Sequence, residues 1–124
     1  MDEPHKIKGI IWVGSSLRNL KSFPDEVREV IGYALYQAQI GGKAHSAKPL
    51  RGFGGANVIE IVHDHQTDTF RAVYTVRFSD LLYVLHAFQK KSKKGISTPK
   101  SHIDLIKRRL MIAEEDYNKR QTAQ

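Results

Sequence analysis

The chain has no cysteine. That excludes thiolate zinc sites, iron–sulfur clusters, thiol nucleophiles and disulfide scaffolds. It has one tryptophan and four prolines, and its apolar residues come in short runs. No stretch reaches the about 18 consecutive apolar residues that a membrane span needs. Met1-Asp2-Glu3-Pro4-His5-Lys6 starts acidic and lacks the basic-then-apolar pattern of a secretory signal. The expectation is a reduced, cytoplasmic protein with no membrane partner. At 124 residues, 40% of them hydrophobic, the chain suits a single domain over residues 1–124 with one real core.

What it has is localised positive charge. Between Gln89 and Arg109 stand Lys90, Lys91, Lys93, Lys94, Lys100, Lys107, Arg108 and Arg109, with Asp104 the only acid. This window accounts for the whole formal net charge of +7. A basic block on a neutral body points to a polyanion or an acidic partner.

Residues 7–13, Ile-Lys-Gly-Ile-Ile-Trp-Val, predict a short strand. Pro24-Asp25-Glu26 opens a helix in the expected way, with proline in the first turn and acids at its positive end. Val27, Val30, Ile31, Ala34, Leu35 and Ala38 continue it at helical spacing to Gly41-Gly42, so the helix spans roughly 24–40. Residues 43–56, dominated by glycine and proline, read as loop. Three strands follow as an antiparallel meander: 58–63, 69–78 and 81–89, with a hairpin tip at 65–68 and a turn at Ser79-Asp80. In the second, Phe70, Ala72, Tyr74, Val76 and Phe78 alternate with Arg71, Val73, Thr75 and Arg77. The third is apolar on both faces, which leaves its faces unassigned. Thr98 and Pro99 suit the N-cap and first residue of a last helix. Its stripe is Ile103, Ile106, Leu110, Ala113 and Tyr117, and a polar tail of about 118–124 follows. The order is β-α-β-β-β-α, an α+β fold with two helices packed on one face of a small antiparallel-rich sheet. The opposite face or its rim is then open to solvent and carries Arg71 and Arg77.

The run Lys48-Pro-Leu-Arg-Gly-Phe-Gly resembles the entry to the sheet in phage-derived, HigB-like toxins of the RelE/ParE superfamily. The resemblance continues through Val58-Ile-Glu-Ile, Phe70-Arg-Ala-Val-Tyr and Leu81-Leu-Tyr-Val-Leu-His-Ala-Phe-Gln-Lys-Lys-Ser. It ends in Thr98-Pro and a helix bearing Ile103-Asp-Leu-Ile-Lys-Arg-Arg-Leu, covering roughly residues 48–115. It implies a RelE/ParE-like sheet with helices and a toxin encoded beside an antitoxin. Many RelE- and HigB-like members cleave mRNA in the ribosomal decoding site, whereas ParE-like members poison DNA gyrase. The implied partners are a helix-turn-helix (HigA-like) antitoxin, the ribosome and mRNA, and operator DNA through the antitoxin complex.

Metal-independent RNA cleavage uses the neighbouring 2′-hydroxyl as nucleophile. The enzyme must help remove its proton, stabilise the phosphorane charge and protonate the leaving 5′-oxygen. No cofactor and no metal is expected. Arg71 matches the family's strand arginine, and a planar, always-charged fork suits the phosphorane. Lys90 and Lys91 match its paired lysines, able to transfer a proton or to hold phosphate. Lys93 and Lys94 read as backbone contacts, with Arg51 and Arg77 widening the RNA- and ribosome-binding surface. His86 is a possible acid/base, set against ordinary packing in an apolar strand. His63 and His65 have a spacing that can bind metal on a strand, but they straddle the expected turn with no third ligand in view and read as a solvated hairpin. No histidine follows His102, and Tyr117 fits the apolar stripe, so the general acid is unassigned. The competing readings are a non-catalytic gyrase inhibitor and a basic module acting only with its antitoxin as operon co-repressor.

Overall fold

A computed structural model describes residues 7–55, 57–91 and 98–123. The strands are β1 (Gly9–Trp12), β2 (Ala47–Pro49), β3 (Val58–His65), β4 (Asp68–Thr75) and β5 (Leu81–Lys90), and the helices are α1 (Ser16–Lys21), α2 (Asp25–Gln39) and α3 (Lys100–Thr122). The five strands form one mixed sheet in the order β1-β5-β4-β3-β2. The expected antiparallel meander is its centre, with β1 added parallel to β5 at one edge and β2 antiparallel to β3 at the other.

Two elements escaped the sequence pattern. α1 is shorter than two turns and shows no period. β2 is three residues inside the segment read as loop, at a sheet edge where a proline is tolerated.

The helices do not share one face of the sheet. α2 buries Val27, Ile31, Ala34, Leu35 and Ala38 against Ile59, Ile61, Phe70, Ala72, Tyr74, Leu82 and Val84. α3 buries Ile106, Leu110 and Ala113 against Val58, Val73, Tyr83 and Leu85 on the opposite face. The physical reason lies in β3 to β5, which carry large apolar side chains on both faces. A single helical layer would leave one of those surfaces in water. The face expected to be open is therefore covered at one end by α3, and Arg71 on it is buried.

β5 contains an irregularity that sets the site. Tyr74 pairs with Val84 but Val73 pairs with His86, which leaves Leu85 as an extra residue. This bulge turns His86, Phe88 and Lys90 onto the α3 face, and leaves Leu82, Val84 and Ala87 on the α2 face. β4 ends at Thr75, so Arg77 lies beyond the strand expected to carry it. α3 continues past Tyr117 to Thr122, through the residues expected to be tail. An Asp116–Arg120 pair at 2.6 Å supports that last part of the helix.

Candidate functional site

The register lays the α3 face out as a grid. One row across the sheet is Lys48, Glu60, Val73 and His86. The next is Val62, Arg71 and Phe88, and the next Asp64, Thr69 and Lys90. Toward Val58 and Tyr83 this face is apolar core, and toward Lys90 it is polar and charged. The N-terminal turns of α3 lie over the polar end.

Glu60 and Arg71 form the centre. Arg71 Nη1 donates to Glu60 Oε2 at 3.0 Å, and the two side chains are only 4% and 3% exposed. The same nitrogen donates to Thr98 Oγ1 at 3.1 Å, and the Thr98 hydroxyl donates to Glu60 Oε2. Thr98, expected to cap α3, binds the carboxylate instead, and Pro99 takes the N-cap position. A cleft of about 460 Å³ opens over this centre, lined by Lys48, Pro49, Leu50, Arg51, Gly52, Glu60, Thr98 and Ile103. Arg51 is exposed at its rim.

A second chain of contacts lies beside it. Arg109 Nη1 donates to the Leu85 carbonyl at 3.0 Å and to His86 Nδ1 at 3.3 Å, and Nη2 donates to Ser15 Oγ at 3.2 Å. With Nδ1 accepting, His86 carries its proton on Nε2 and donates to His102 Nδ1 at 2.8 Å. His102 in turn carries its proton on the outer nitrogen, Nε2. Its ring stacks on Phe88, centroids 3.9 Å apart and planes 12° apart. Burial first, then the proximity of His102 and of the Arg109 guanidinium, push His86 down to about 4. Burial also lowers His102. Both shifts favour the neutral imidazole. Burial lowers the Arg109 guanidinium as well, with Arg108 adding to the effect.

Gly14 makes the Arg109 position possible. Its φ is +55°, and a Cβ there would lie 2.8 Å from the guanidinium.

The residues singled out by sequence are only partly brought together. Arg71, Lys90 and His86 share the α3 face, and Lys91 is exposed just past β5. Arg77 lies elsewhere, 3.9 Å from Glu114 far along α3. Lys93 and Lys94 lie outside the described residues. Tyr117 packs on Phe78 at 4.5 Å and donates to Asp80, in keeping with its place in the apolar stripe. His63 and His65 both belong to β3 and do not straddle the turn. Sequence reasoning missed Glu60, Thr98, His102 and Arg109. Glu60 had a signal: a lone acid in Val58-Ile-Glu-Ile-Val needs a buried partner, and Arg71 is the cation in the neighbouring strand.

Fold and site together define a small mixed-sheet α+β protein with a cationic, polar end to one sheet face. No helix among the described residues is long and apolar enough to cross a membrane. A family model described as phage derived protein Gp49-like (DUF891) matches residues 18–111, most of the chain. The chain belongs to this family, a RelE/ParE-like toxin family of toxin–antitoxin systems. No curated protein and no solved structure matches it.

Proposed function

We propose that this protein is the toxin of a type II toxin–antitoxin system, HigB-like in kind, and that it cleaves mRNA on the ribosome without a metal. The observation that carries the reading is the buried Glu60–Arg71–Thr98 centre, which opens onto a cleft edged by Lys48 and Arg51. It joins a carboxylate, a fixed guanidinium and surrounding cations, which are the groups RNA transesterification needs.

In this mechanism Arg71, buried behind Glu60, fixes the carboxylate in place, and Lys48 and Arg51 at the cleft face the scissile phosphate and stabilise the phosphorane charge. Glu60 accepts the proton of the 2′-hydroxyl as its oxygen attacks phosphorus. The bond to the 5′-oxygen breaks, and that oxygen takes a proton from Lys90, leaving a 2′,3′-cyclic phosphate and a 5′-hydroxyl. His102 presents its Nε2–H as a hydrogen-bond donor to the phosphate. His86 is a positioning residue, because both its nitrogens are engaged, by Arg109 and His102. Lys91, Lys93, Lys94 and Arg51 hold the RNA backbone. The ribosome orients the substrate, which supplies several kcal/mol of the barrier. A helix-turn-helix, HigA-like antitoxin silences the toxin, and the pair binds operator DNA.

Primer extension on cellular mRNA after induced expression tests this. Codon-phased cuts are expected with the native protein, and weaker ones with the Lys90→Ala, Lys91→Ala double variant or with His102→Ala. Intact mRNA with accumulated gyrase–DNA adducts would overturn the reading.

A further inference from the structure

The opposite sheet face holds a second constellation. β3 runs out to His65, so His63 and His65, two residues apart, point to the same side of the sheet, the side of α2. Glu26, in the first turn of α2, meets them there. Its Oε2 lies 2.8 Å from His65 Nδ1 and 3.4 Å from His63 Nε2. One ligand atom from each of the three residues falls within 4.8 Å of the other two.

A carboxylate bonded to one imidazole is an ordinary surface ion pair. Two imidazoles from one strand converging on a single oxygen, through different ring nitrogens, make a ligand set. A tetrahedral zinc with ligands at about 2.0–2.1 Å spaces neighbouring donor atoms by about 3.3 Å. Two of the three separations, 2.8 and 3.4 Å, lie near that spacing, and all fall within 4.8 Å. Their backbones belong to regular elements, and Phe70, buried and stacked edge-on against Phe23 at 4.9 Å, lies beneath them with its ring 6.3 Å from that of His65. The histidine side chains keep 25% and 22% of their surface exposed, enough for an ion to enter.

Neighbouring carboxylates are committed elsewhere. Asp25 pairs with Arg28, Asp64 accepts from the Thr69 hydroxyl at 2.8 Å, and Asp68 accepts from Gln89. Among the described residues the set therefore stays at three, and a fourth position is left for water or another group.

We propose that Glu26, His63 and His65 bind a divalent transition-metal ion of the zinc class, which ties the start of α2 to the β3–β4 hairpin. Two imidazoles and one carboxylate suit zinc over magnesium or calcium, which prefer all-oxygen shells. The site lies across the sheet from the Glu60–Arg71 centre, so it is separate from the RNA chemistry and does not depend on it.

The test is calorimetric titration of the untagged full-length protein with zinc chloride alone, with thermal melts in parallel. The expected result is one ion per chain, a higher melting temperature with zinc, and affinity lowered roughly tenfold or more in each of His63→Ala, His65→Ala and Glu26→Gln. His102→Ala keeps the native affinity, which separates this site from the histidine pair on the other face. Absence of binding at roughly millimolar zinc, or binding that survives the combined His63→Ala, His65→Ala change, would overturn the proposal.

Discussion

Arg71 and Glu60 hold each other at 3.0 Å inside the protein, each side chain almost fully shielded from water, with the Thr98 hydroxyl bridging them. A pair this deep has been stripped of its hydration. Removing one partner leaves a buried charge uncompensated, whereas removing both leaves only a packing problem.

Arg71→Ala is therefore expected to destabilise the fold by about 3–5 kcal/mol, besides abolishing toxicity. The combined Glu60→Gln, Arg71→Ala variant should be more stable than Arg71→Ala alone and equally inactive. Urea denaturation of the single and double variants measures the coupling. Additive effects would show that the two side chains do not stabilise each other.

The alternation of Arg71 with Phe70 and Ala72 was legible, and it placed the arginine on the correct face of β4. Its burial was not, because alternation assigns a face without saying what covers it. The clue to the covering was β5. A strand apolar on both sides, with Leu82 and Val84 opposing Tyr83 and Leu85, requires a layer on each face. The orientation of His86 was hidden for another reason. Period-two reading puts it with Val84, and the extra residue Leu85 reverses that without a mark in the sequence. Glu60 and Thr98 each had a familiar local role, a strand acid and a helix cap, and only the tertiary fold joins them. The family pattern singled out Arg71 and Lys90 but said nothing of Arg109, which lies beside Gly14 and bonds to Ser15 and His86.

His86 makes stability depend on pH. Its folded value of about 4 lies below the ordinary 6.5. The unfolded chain thus binds the extra proton first as pH falls. The stabilisation is fully present above pH 6.5 and is lost as pH drops toward 4, by up to about 3 kcal/mol. His86→Phe keeps a stacking ring and removes the titration, so its stability should fall less over the same window. Equal slopes for the native and His86→Phe proteins would place the proton uptake elsewhere.

Gly14→Ala is expected to disturb the site from a distance. The added Cβ meets the Arg109 guanidinium, and the backbone there has φ +55°, so the change should cost about 1–2 kcal/mol. Displacing Arg109 also takes away a cation and a donor at His86 Nδ1. An NMR titration should find the His86 value raised in Gly14→Ala. An unchanged value would mean that Arg109 does not govern this imidazole.

Tyr83 anchors the outer half of α3. Its hydroxyl donates to Asp116 Oδ2 at 2.6 Å, and burial first, then this bond, drive the phenol well above its usual range. Tyr83→Phe keeps the ring and its packing on Phe78 but loses a hydrogen bond to a charged group. A loss of about 1.5–3 kcal/mol is expected in urea melts. Native stability in Tyr83→Phe would show the bond to be energetically idle.

The proposed function requires the Glu60–Arg71 side of the sheet to cleave RNA when the ribosome presents it. The most direct measurement incubates purified protein with an end-labelled mRNA, free or programmed on purified ribosomes, without added divalent ion beyond what the ribosomes require. Cleavage is expected within the decoding-site codon only on ribosomes, yielding 2′,3′-cyclic phosphate ends, and much weaker cleavage after Lys90→Ala. Intact mRNA on the ribosome, together with inhibition of DNA gyrase by the same preparation, would contradict it.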